Sequence, residues 1–299
     1  MNITFRQLRL FLALAETGSV SAAAKVMHVT QPTASMQLKE VGGAVGVPLY
    51  EVVSRRVRLT DAGLDLARTA RAMVGEWEAF GQRIAEAQGL VRGRLTVSVV
   101  STAKYFMPRL LGSFCQRHPG IDVALQVLNR DGVVARLRDN LDDLYIMSMP
   151  PTDIDLDDRV FMANPLVLVA PADHRLARRR TVRLDELREE RFVLRERGSG
   201  TRIAIDQHFR RLRFVPAVRM ELGSNEAVRE SVAGKLGVSV LSVHALGERP
   251  EAQGVVVLPV ENFPIPSNWH VVQRRARQRS PIARAFEAHL FEQAATPKT

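Results

Sequence analysis

The chain has almost no cysteine and no long apolar run. Cys115 is the single cysteine among 299 residues, so no internal disulfide can form. It follows Phe114 in a predicted helix, where a packed thiol is favoured over a nucleophile. No apolar run reaches the roughly 18 residues that a membrane span needs, and the N-terminus has no continuous signal-peptide core. These absences predict a cytoplasmic protein with no membrane partner.

The motifs of common enzymes and metal sites are also lacking. Ser101-Thr-Ala-Lys104 has the S-x-x-K spacing of some acylating serine enzymes, but the accompanying S-D-N and K-T-G motifs are absent. Gly198-Ser-Gly200 lacks the third glycine of a dinucleotide fingerprint. No G-x-S-x-G elbow or Walker A loop occurs, and the seven histidines have no second ligand at metal spacing. We therefore predict that the protein is not an enzyme and has no catalytic residue, metal site or cofactor.

Positive charge exceeds negative charge, with a formal net charge of +10. This excess favours an anionic partner without naming one. Residues 1–60 hold seven lysines and arginines against three glutamates, a net of +4 in a short segment. Further basic runs at residues 178–180 and 274–279 are interpreted as solvated edges of the protein surface that bind no partner. Charge by itself therefore does not decide which surface meets nucleic acid.

Residues 18–39 predict two short helices joined by a tight turn. Ala22, Ala23 and Val26 recur at the helical spacing that would turn one face of the first helix inward, and Ser19 or Ser21 can cap this helix. In the second helix Thr30 is a good N-cap, and a proline in the first turn costs no hydrogen bond. Its inward side chains would be Ala34, Leu38 and Val41, and its outward side chains suit the major groove and the phosphates beside it. The predicted DNA-binding residues on this helix are Gln31, Pro32, Thr33, Ser35, Met36 and Lys39. An ordinary helical pair with a solvated face remains the alternative.

The segments on either side extend this motif. A helix over residues 4–17 would complete a three-helix core, ended by Gly18. The alternation over residues 56–59 predicts one strand of a small wing, with Arg55 and Arg56 at its tip as further DNA contacts. Thr60 would then cap a long helix to about residue 88, with residues 89–93 as a hinge. Its apolar residues follow a heptad spacing that predicts pairing with a second copy: Leu66, Ala70, Met73, Trp77, Phe80, Ile84 and Ala87. A core helix with this spacing by chance remains the alternative.

Strands alternate with helices after residue 93, which predicts an α/β fold with a largely parallel sheet. The order suggests two similar lobes, joined by crossovers near residues 161–164 and 263–268. The predicted fold is therefore α + α/β. The domains would be 1–60 (DNA binding), 61–92 (linker helix and hinge) and 93–299, with lobe I at 93–162 and 266–299 and lobe II at 163–265.

A cleft between such lobes is a usual place for a small ligand. Two candidate anion nests face it, one at the end of the first strand and one at residues 199–202, where backbone N–H groups, hydroxyls and a guanidinium come together. Each of these residues alone could simply cap a helix. The predicted effector-binding residues are Ser101, Thr102, Lys104, Ser148, Ser199, Thr201, Arg202 and Asn225.

The N-terminal residues form a distinctive series: Gly18-Ser19, Thr30-Gln31-Pro32, Leu38-Lys39, Pro48-Leu49-Tyr50-Glu51 and Leu59-Thr60-Asp61-Ala62-Gly63. This series resembles the pattern of LysR-type transcriptional regulators. Within that family, Asp142-Asp-Leu-Tyr-Ile-Met147 and Arg195-Glu-Arg-Gly-Ser-Gly-Thr-Arg202 resemble the RuBisCO-operon (Calvin-cycle) regulators. Two departures from the pattern are present. Gly42 and Gly43 follow Val41, so the recognition helix is expected to end early, and Val52 stands where the wing usually has an arginine.

The resemblance implies a winged helix-turn-helix, a linker helix and a two-lobed, periplasmic-binding-protein-like effector domain. It further implies a homotetramer, built as a dimer of dimers, that binds double-stranded promoter DNA, with RNA polymerase as a candidate partner. The effector would be a small anion, a phosphorylated metabolite or NADPH, and the targets would be carbon-fixation genes. The alternative is a small-molecule binding protein or enzyme whose basic N-terminus serves assembly only.

Overall fold

The computed structural model describes residues 2–53, 56–87 and 92–295. The chain divides into two compact units, and the boundary between them in the sequence lies near residue 88. Among the described residues, no helix combines the length and the apolar character that a bilayer crossing needs.

The first unit begins with three capped helices: α1 (Phe5–Thr17), α2 (Val20–Val26) and α3 (Gln31–Val45). The side chains of Thr4, Ser19 and Thr30 each accept a hydrogen bond from a backbone N–H three residues later, which satisfies donors that the first helical turn leaves free. Gly18 ends α1 with a φ of 62°, a conformation that glycine adopts without strain. The inward faces of these helices form one buried core that includes Phe11, Ala34 and Leu38.

An antiparallel wing and a long helix complete this unit. The wing pairs β1 (Tyr50–Val53) with β2 (Arg56–Leu59), and the Val57 N–H donates to the Gly18 carbonyl at 3.0 Å. The long helix α4 (Asp61–Ala87) is capped by Thr60, whose hydroxyl accepts from the Gly63 N–H at 3.1 Å. The predicted hinge at residues 89–93 lies largely outside the described residues.

Two expectations for this unit are wrong. Val26 is 57% exposed, and Ala24 is buried in its place beside Ala23. The helix α3 does not end at Gly42 and Gly43 but continues to Val45, where Gly46 takes a left-handed φ of 85°. Two helical glycines cost about 1 kcal/mol each relative to alanine. Burial of Val41 on the core holds the helix in place against that cost.

The second unit alternates strands and helices. In chain order they are β3 (Gly93–Val100), α5 (Met107–Arg117), β4 (Ile121–Leu128), α6 (Arg130–Arg138), β5 (Leu144–Met147), β6 (Leu156–Ala163), β7 (Leu166–Pro171), β8 (Arg191–Arg195), α7 (Gly200–Arg211), β9 (Ala217–Leu222), α8 (Asn225–Ala233), β10 (Ser239–Ser242), β11 (Val255–Val257), β12 (Asn268–Arg274) and α9 (Pro281–Ala295). Lobe I is a sheet in the order β4-β3-β5-β12-β6 with its own apolar core. Lobe II joins the strands β10-β7-β11 to the parallel pair β8-β9 through a bridge between Phe192 and Val238.

The sheets are less parallel than expected. In lobe I, β12 runs antiparallel to both β5 and β6, and in lobe II, β7 runs antiparallel to β10 and β11. The strands β6 and β11 were not predicted. The sequence predicts one helix from Ser101 through Arg117. The structure has instead a 3-10 turn, Ser101–Tyr105, followed by α5, because Pro108 has no N–H to donate to the carbonyl of residue 104 and its ring would clash with that carbonyl in a continuous helix.

The two crossovers between the lobes lie side by side. The Asn164 N–H donates to the Ser267 carbonyl at 2.8 Å, and the Leu166 N–H donates to the Ile265 carbonyl at 3.0 Å. The buried Asn164 side chain also accepts from the Ser242 hydroxyl at 2.6 Å. The lobes are therefore connected by a short, hydrogen-bonded ribbon.

Candidate nucleic-acid interface and ligand cleft

One face of α3 is polar and exposed. Gln31, Pro32, Ser35, Met36 and Lys39 are all exposed, with Met36 at 57%. Their spacing places them on one side of the helix, opposite Ala34, Leu38 and Val41, which are buried. Thr33 is half-buried, and its hydroxyl lies 2.8 Å from that of the capping Thr30. The helix therefore presents an amide, a hydroxyl, a thioether and a cation on a rigid, well-anchored scaffold.

The wing adds positive charge to the same unit. Arg56 and Arg58 are exposed on β2, whereas Val57 between them is half-buried. Arg55, the other predicted contact at the wing tip, lies outside the described residues. Val52, which replaces the arginine usual in the family pattern, is 64% exposed.

The predicted seam of α4 divides into two parts. Ala70 is fully buried and Leu66 packs against the core of the same unit, so here the core-helix interpretation holds. Farther along, four large apolar side chains of the seam are between 46% and 63% exposed: Met73, Trp77, Phe80 and Ile84. The side chain of Ala87 lies outside the described residues. An apolar row of this length is unusual on a free surface and is typical of an interface.

In the second unit, buried polar side chains join lobe I to lobe II. The Asn225 amide donates to the Thr102 hydroxyl at 2.9 Å, and its oxygen accepts from Arg195 at 2.6 Å. Arg195 also donates to Ser101 at 3.3 Å. Arg195, Asn225 and Thr102 are each 5% exposed or less, so these bonds lie in a water-poor setting where they are strong.

A partly exposed ion pair lies beside this network. Lys104 Nζ is 2.9 Å from one Glu226 oxygen, and the Tyr105 hydroxyl donates to Glu226 at 2.6 Å. Burial raises the pKa of the Glu226 carboxyl, but the hydrogen bonds from Tyr105 and Lys104 outweigh it and lower the pKa to about 2. Burial and the nearby carboxylate raise the pKa of Tyr105 well above its ordinary value. Because Lys104 is bound to Glu226 and Ser101 to Arg195, the S-x-x-K spacing forms no nucleophile and base pair.

The start of α7 faces the end of β5. Ser199 caps α7 by accepting from the Arg202 N–H at 3.1 Å, and Thr201 is buried beside it. A Cβ atom on Gly200 would lie 2.9 Å from the Ser148 hydroxyl, which would have to turn aside, so the two lobes approach each other closely here. Ser101, Thr102, Ser148, Ser199, Thr201 and Asn225 thus lie where the two lobes face each other, and Lys104 pairs across the same boundary with Glu226, while their binding of an effector stays a prediction.

Arg202 requires a correction. Its guanidinium donates to Asp206 at 2.9 Å, to Glu221 at 2.9 Å and to a backbone carbonyl, all within lobe II, so it is not offered to a ligand. Arg195, which was not among the predicted residues, supplies the guanidinium that reaches from lobe II to Ser101 of lobe I, although it too is paired within lobe II, with Glu196 at 2.7 and 2.9 Å. The signal was an arginine at the carboxyl end of the apolar strand β8.

Two cavities open beside these walls. One, of about 500 Å³, is bounded by Ser148, Met149 and the α7 residues Gln207, His208 and Arg211. The other, of about 460 Å³, reaches Arg130 and shares Met149 and Gln207 with the first. Burial and the neighbouring Arg211 lower the pKa of His208, which therefore favours its neutral form. Both volumes fall within the range of about 300–1,000 Å³ that is usual for small-molecule pockets.

Comparison with known proteins gives the family. The family model described as "Bacterial regulatory helix-turn-helix protein, lysR family" matches residues 5–64, and the model "LysR substrate binding domain" matches residues 88–295. The chain belongs to the LysR family. It is therefore a DNA-binding transcriptional regulator with an effector domain and not an enzyme, as predicted, and the alternative of an enzyme with a basic assembly domain is wrong.

Relatives within the LysR family agree with the predicted subgroup. The chain is 40% identical to the HTH-type transcriptional activator CmpR of Synechocystis sp., over 97% of this chain and 95% of that one. It is also 40% identical to the RuBisCO operon transcriptional regulator of Acidithiobacillus ferrooxidans, over 97% of this chain. The regulatory domain of Synechocystis CcmR, solved in complex with 2-PG, is 43% identical, covers 68% of this chain and 98% of its own, and has a TM-score of 0.66. Full-length CbnR, solved with its target DNA, has the same fold with a TM-score of 0.69 at 24% identity and covers 98% of this chain.

Proposed function

We propose that this regulator controls carbon-fixation genes, binding their promoters through α3 and the wing under the control of a small phosphorylated anion. The observation that carries the DNA-binding part is the exposed polar face of α3 opposite a buried apolar face. The names of the relatives, a RuBisCO operon regulator and CmpR, support the choice of target genes. We place the protein in the cytoplasm, where its DNA lies.

On α3, we assign base contacts to Gln31 and Ser35 and a phosphate contact to Lys39. An amide can form two hydrogen bonds with adenine in the major groove, accepting from N6 and donating to N7, a hydroxyl suits several bases, and a lysine acts on phosphate as a point charge. Pro32 and Met36 would make apolar contacts on the same face. Thr33 lies in the first turn of α3 with its hydroxyl 2.8 Å from that of the capping Thr30, and Arg55 and Arg56 would hold the DNA backbone beside the groove.

The assignment is tested by two alanine variants. In Gln31→Ala, affinity for the cognate promoter should fall by about 1–3 kcal/mol, with little change for unrelated DNA. In Lys39→Ala, affinity should fall for all sequences alike, and the slope of log affinity against log salt should flatten by about one. Fluorescence anisotropy with labelled cognate and scrambled duplexes measures both. Equal behaviour of the two variants would contradict the assigned roles.

For the effector, we propose an anion in the cleft between the lobes. A phosphate could exchange with the bond between Asn225 and Thr102 and with the bond that Ser101 accepts from Arg195. Arg195, now paired with Glu196, would supply the positive charge by turning part of its guanidinium to the ligand. Ser148, Ser199 and Thr201 line the facing wall. The complex of the CcmR regulatory domain with 2-phosphoglycolate supports a phosphorylated metabolite, with NADPH as the second candidate.

Calorimetry with 2-phosphoglycolate tests the cleft. Thr102→Ala and Thr201→Ala should each weaken binding several-fold, whereas Thr181→Ala, an exposed threonine of lobe II outside the cleft, should not. A loss of similar size in all three variants, or in none, would place the ligand elsewhere.

We further propose that two copies pair through the exposed row of α4 and that two such dimers form a tetramer. Pairing would bury Met73, Trp77, Phe80 and Ile84 at heptad spacing. It would also present two α3 helices to successive major grooves. RNA polymerase is the proposed partner at the promoter.

A further inference from the structure

A third cavity, rich in arginine, lies on lobe I and shares no lining residue with the two cavities beside the cleft. Its volume is about 700 Å³. Its walls come from β6, from the loop between β12 and α9, and from α9 itself. We call it the lobe I cavity. It is lined chiefly by Arg159, Arg277, Arg279, Arg284, Glu287 and Phe291.

Positive charge dominates this lining. Four arginines face one acid, Glu287, which is 5% exposed. Two of them share this single carboxylate: Arg159 Nη1 lies 3.2 Å from one oxygen, and Arg279 Nε lies 3.2 Å from the other. Asp157 also pairs with Arg279 and Asp143 with Arg277, so the arginines are partly neutralised by acids outside the lining, while the lining itself has four guanidinium groups and one carboxylate.

The guanidinium groups are already held in place. Arg277 donates to the Asp142 carbonyl at 2.5 Å and lies 3.2 Å from Asp143. Arg279 donates to Asp157 at 2.6 Å, while its Nη2 is buried with no hydrogen-bond partner in the described part of the chain. Groups that are fixed before binding lose little conformational entropy when a ligand arrives.

The orientation of the Arg159 guanidinium plane is also fixed. Its guanidinium lies over the Phe291 ring, 4.5 Å from the centroid. This stacking leaves the edge of the guanidinium, which carries the N–H groups, available to an anion. The basic run at residues 274–279 is therefore more than the solvated edge expected from the sequence, because two of its arginines line a cavity.

We propose that the lobe I cavity binds a small molecule that carries two or more phosphate groups. Guanidinium forks match phosphate oxygens in pairs, and several arginines around one space favour a ligand with more than one phosphate. The volume is within the usual range of about 300–1,000 Å³ for such ligands. No lining residue is shared with the cleft or with α3. A negative result at this site would therefore leave the function proposed above untouched, and the reverse also holds.

The test is calorimetry on the full chain, with inorganic pyrophosphate as the probe, at constant ionic strength and without magnesium. Wild-type protein should bind pyrophosphate. Arg159→Gln and Arg284→Gln should each weaken binding roughly tenfold or more, as expected for loss of a charge-assisted hydrogen bond. The matched control is Arg275→Gln, which removes the same charge from a residue in the same loop that does not line the cavity and is 68% exposed. It should change the affinity by less than about twofold.

A second control separates this site from the cleft. Thr102→Ala should leave pyrophosphate binding unchanged, and saturating 2-phosphoglycolate should not displace pyrophosphate. Absence of pyrophosphate binding at millimolar concentration would overturn the proposal. Equal losses in Arg275→Gln and Arg284→Gln would overturn it as well, since they would indicate a diffuse charge effect. Thermal unfolding of each variant checks that the fold is intact.

Discussion

Replacing Gly63 with alanine should push the start of α4 away from Leu49, the residue that precedes the wing strand β1. An added Cβ would lie 1.9 Å from the Leu49 carbonyl oxygen and 2.9 Å from its carbon. Real Cβ atoms keep about 3.0 Å or more from such atoms, so Leu49 or the helix start must move by about 1.1 Å. The same oxygen accepts a hydrogen bond from the Thr60 N–H at 3.1 Å, which this movement would break.

The size of the effect follows from these contacts. Overpacking a closed site costs about 1–3 kcal/mol, and a lost hydrogen bond costs about 1 kcal/mol. Alanine is better than glycine inside a helix by about 1 kcal/mol, which offsets part of the cost. We therefore expect Gly63→Ala to destabilise the first unit by about 1–3 kcal/mol. The matched control is Gly81→Ala on the same helix, where a Cβ would meet nothing within 4 Å.

Hydrogen exchange of the full chain measures this effect locally. In Gly63→Ala, amides of α1 and α3 that open together with the unit should exchange roughly 5- to 150-fold faster. In Gly81→Ala the same amides should be as protected as in the wild type or more so. Unchanged exchange in Gly63→Ala would mean that α4 does not sit against Leu49, and the reasoning about the wing would fail.

Three further predictions concern other elements. Gly43→Ala should stabilise α3 by about 0.5–1 kcal/mol, because a Cβ there meets nothing within 4 Å, and urea unfolding would reveal it. Trp77→Glu should lower the oligomeric state in sedimentation velocity, whereas an unchanged mass would exclude the exposed row as the interface. The lowered pKa of Glu226 predicts stability that is present above about pH 4.5 and lost as the pH falls toward 2. Since this side chain is 40% exposed, the contribution should be about 1 kcal/mol or less, and Glu226→Gln should abolish this part of the pH dependence in urea unfolding.

The helices of the first unit could be predicted because their signals are local. Each cap of α1, α2 and α3 joins residues only three positions apart, and the buried face repeats at helical spacing. The end of α3 was not predictable in the same way. Whether a helix passes through Gly42 and Gly43 depends on the core that Val41 packs against, and that core is built from other helices.

The candidate effector site depended more on long-range contacts. The sequence placed Thr102 and Asn225 in the same predicted cleft, but it did not predict the hydrogen bond between them. Arg202 looked available, yet it is paired with Glu221 on β9, whereas Arg195, although paired with Glu196, also reaches Ser101 across the lobes. Which arginine reaches across the lobes is decided by tertiary neighbours, and spacing along the chain carries no such information.

The missed strand β6 has a physical reason too. Its residues 156–163 include two aspartates and an arginine, and most of its side chains are exposed or half-buried because it lies at the edge of the lobe I sheet. Without alternation of apolar and polar residues, an edge strand cannot be told from a loop. The hydrogen bonds to β12, and not the local sequence, therefore make these residues a strand.

The most direct test of the central claim is an anisotropy titration of the full chain on labelled duplex from its own upstream region. We expect binding that weakens steeply as salt increases, because α3 and the wing neutralise phosphates. We also expect the affinity or stoichiometry to change on addition of 2-phosphoglycolate. Binding that is insensitive to salt, or DNA binding that 2-phosphoglycolate and NADPH both leave unchanged, would contradict an anion-controlled DNA-binding regulator.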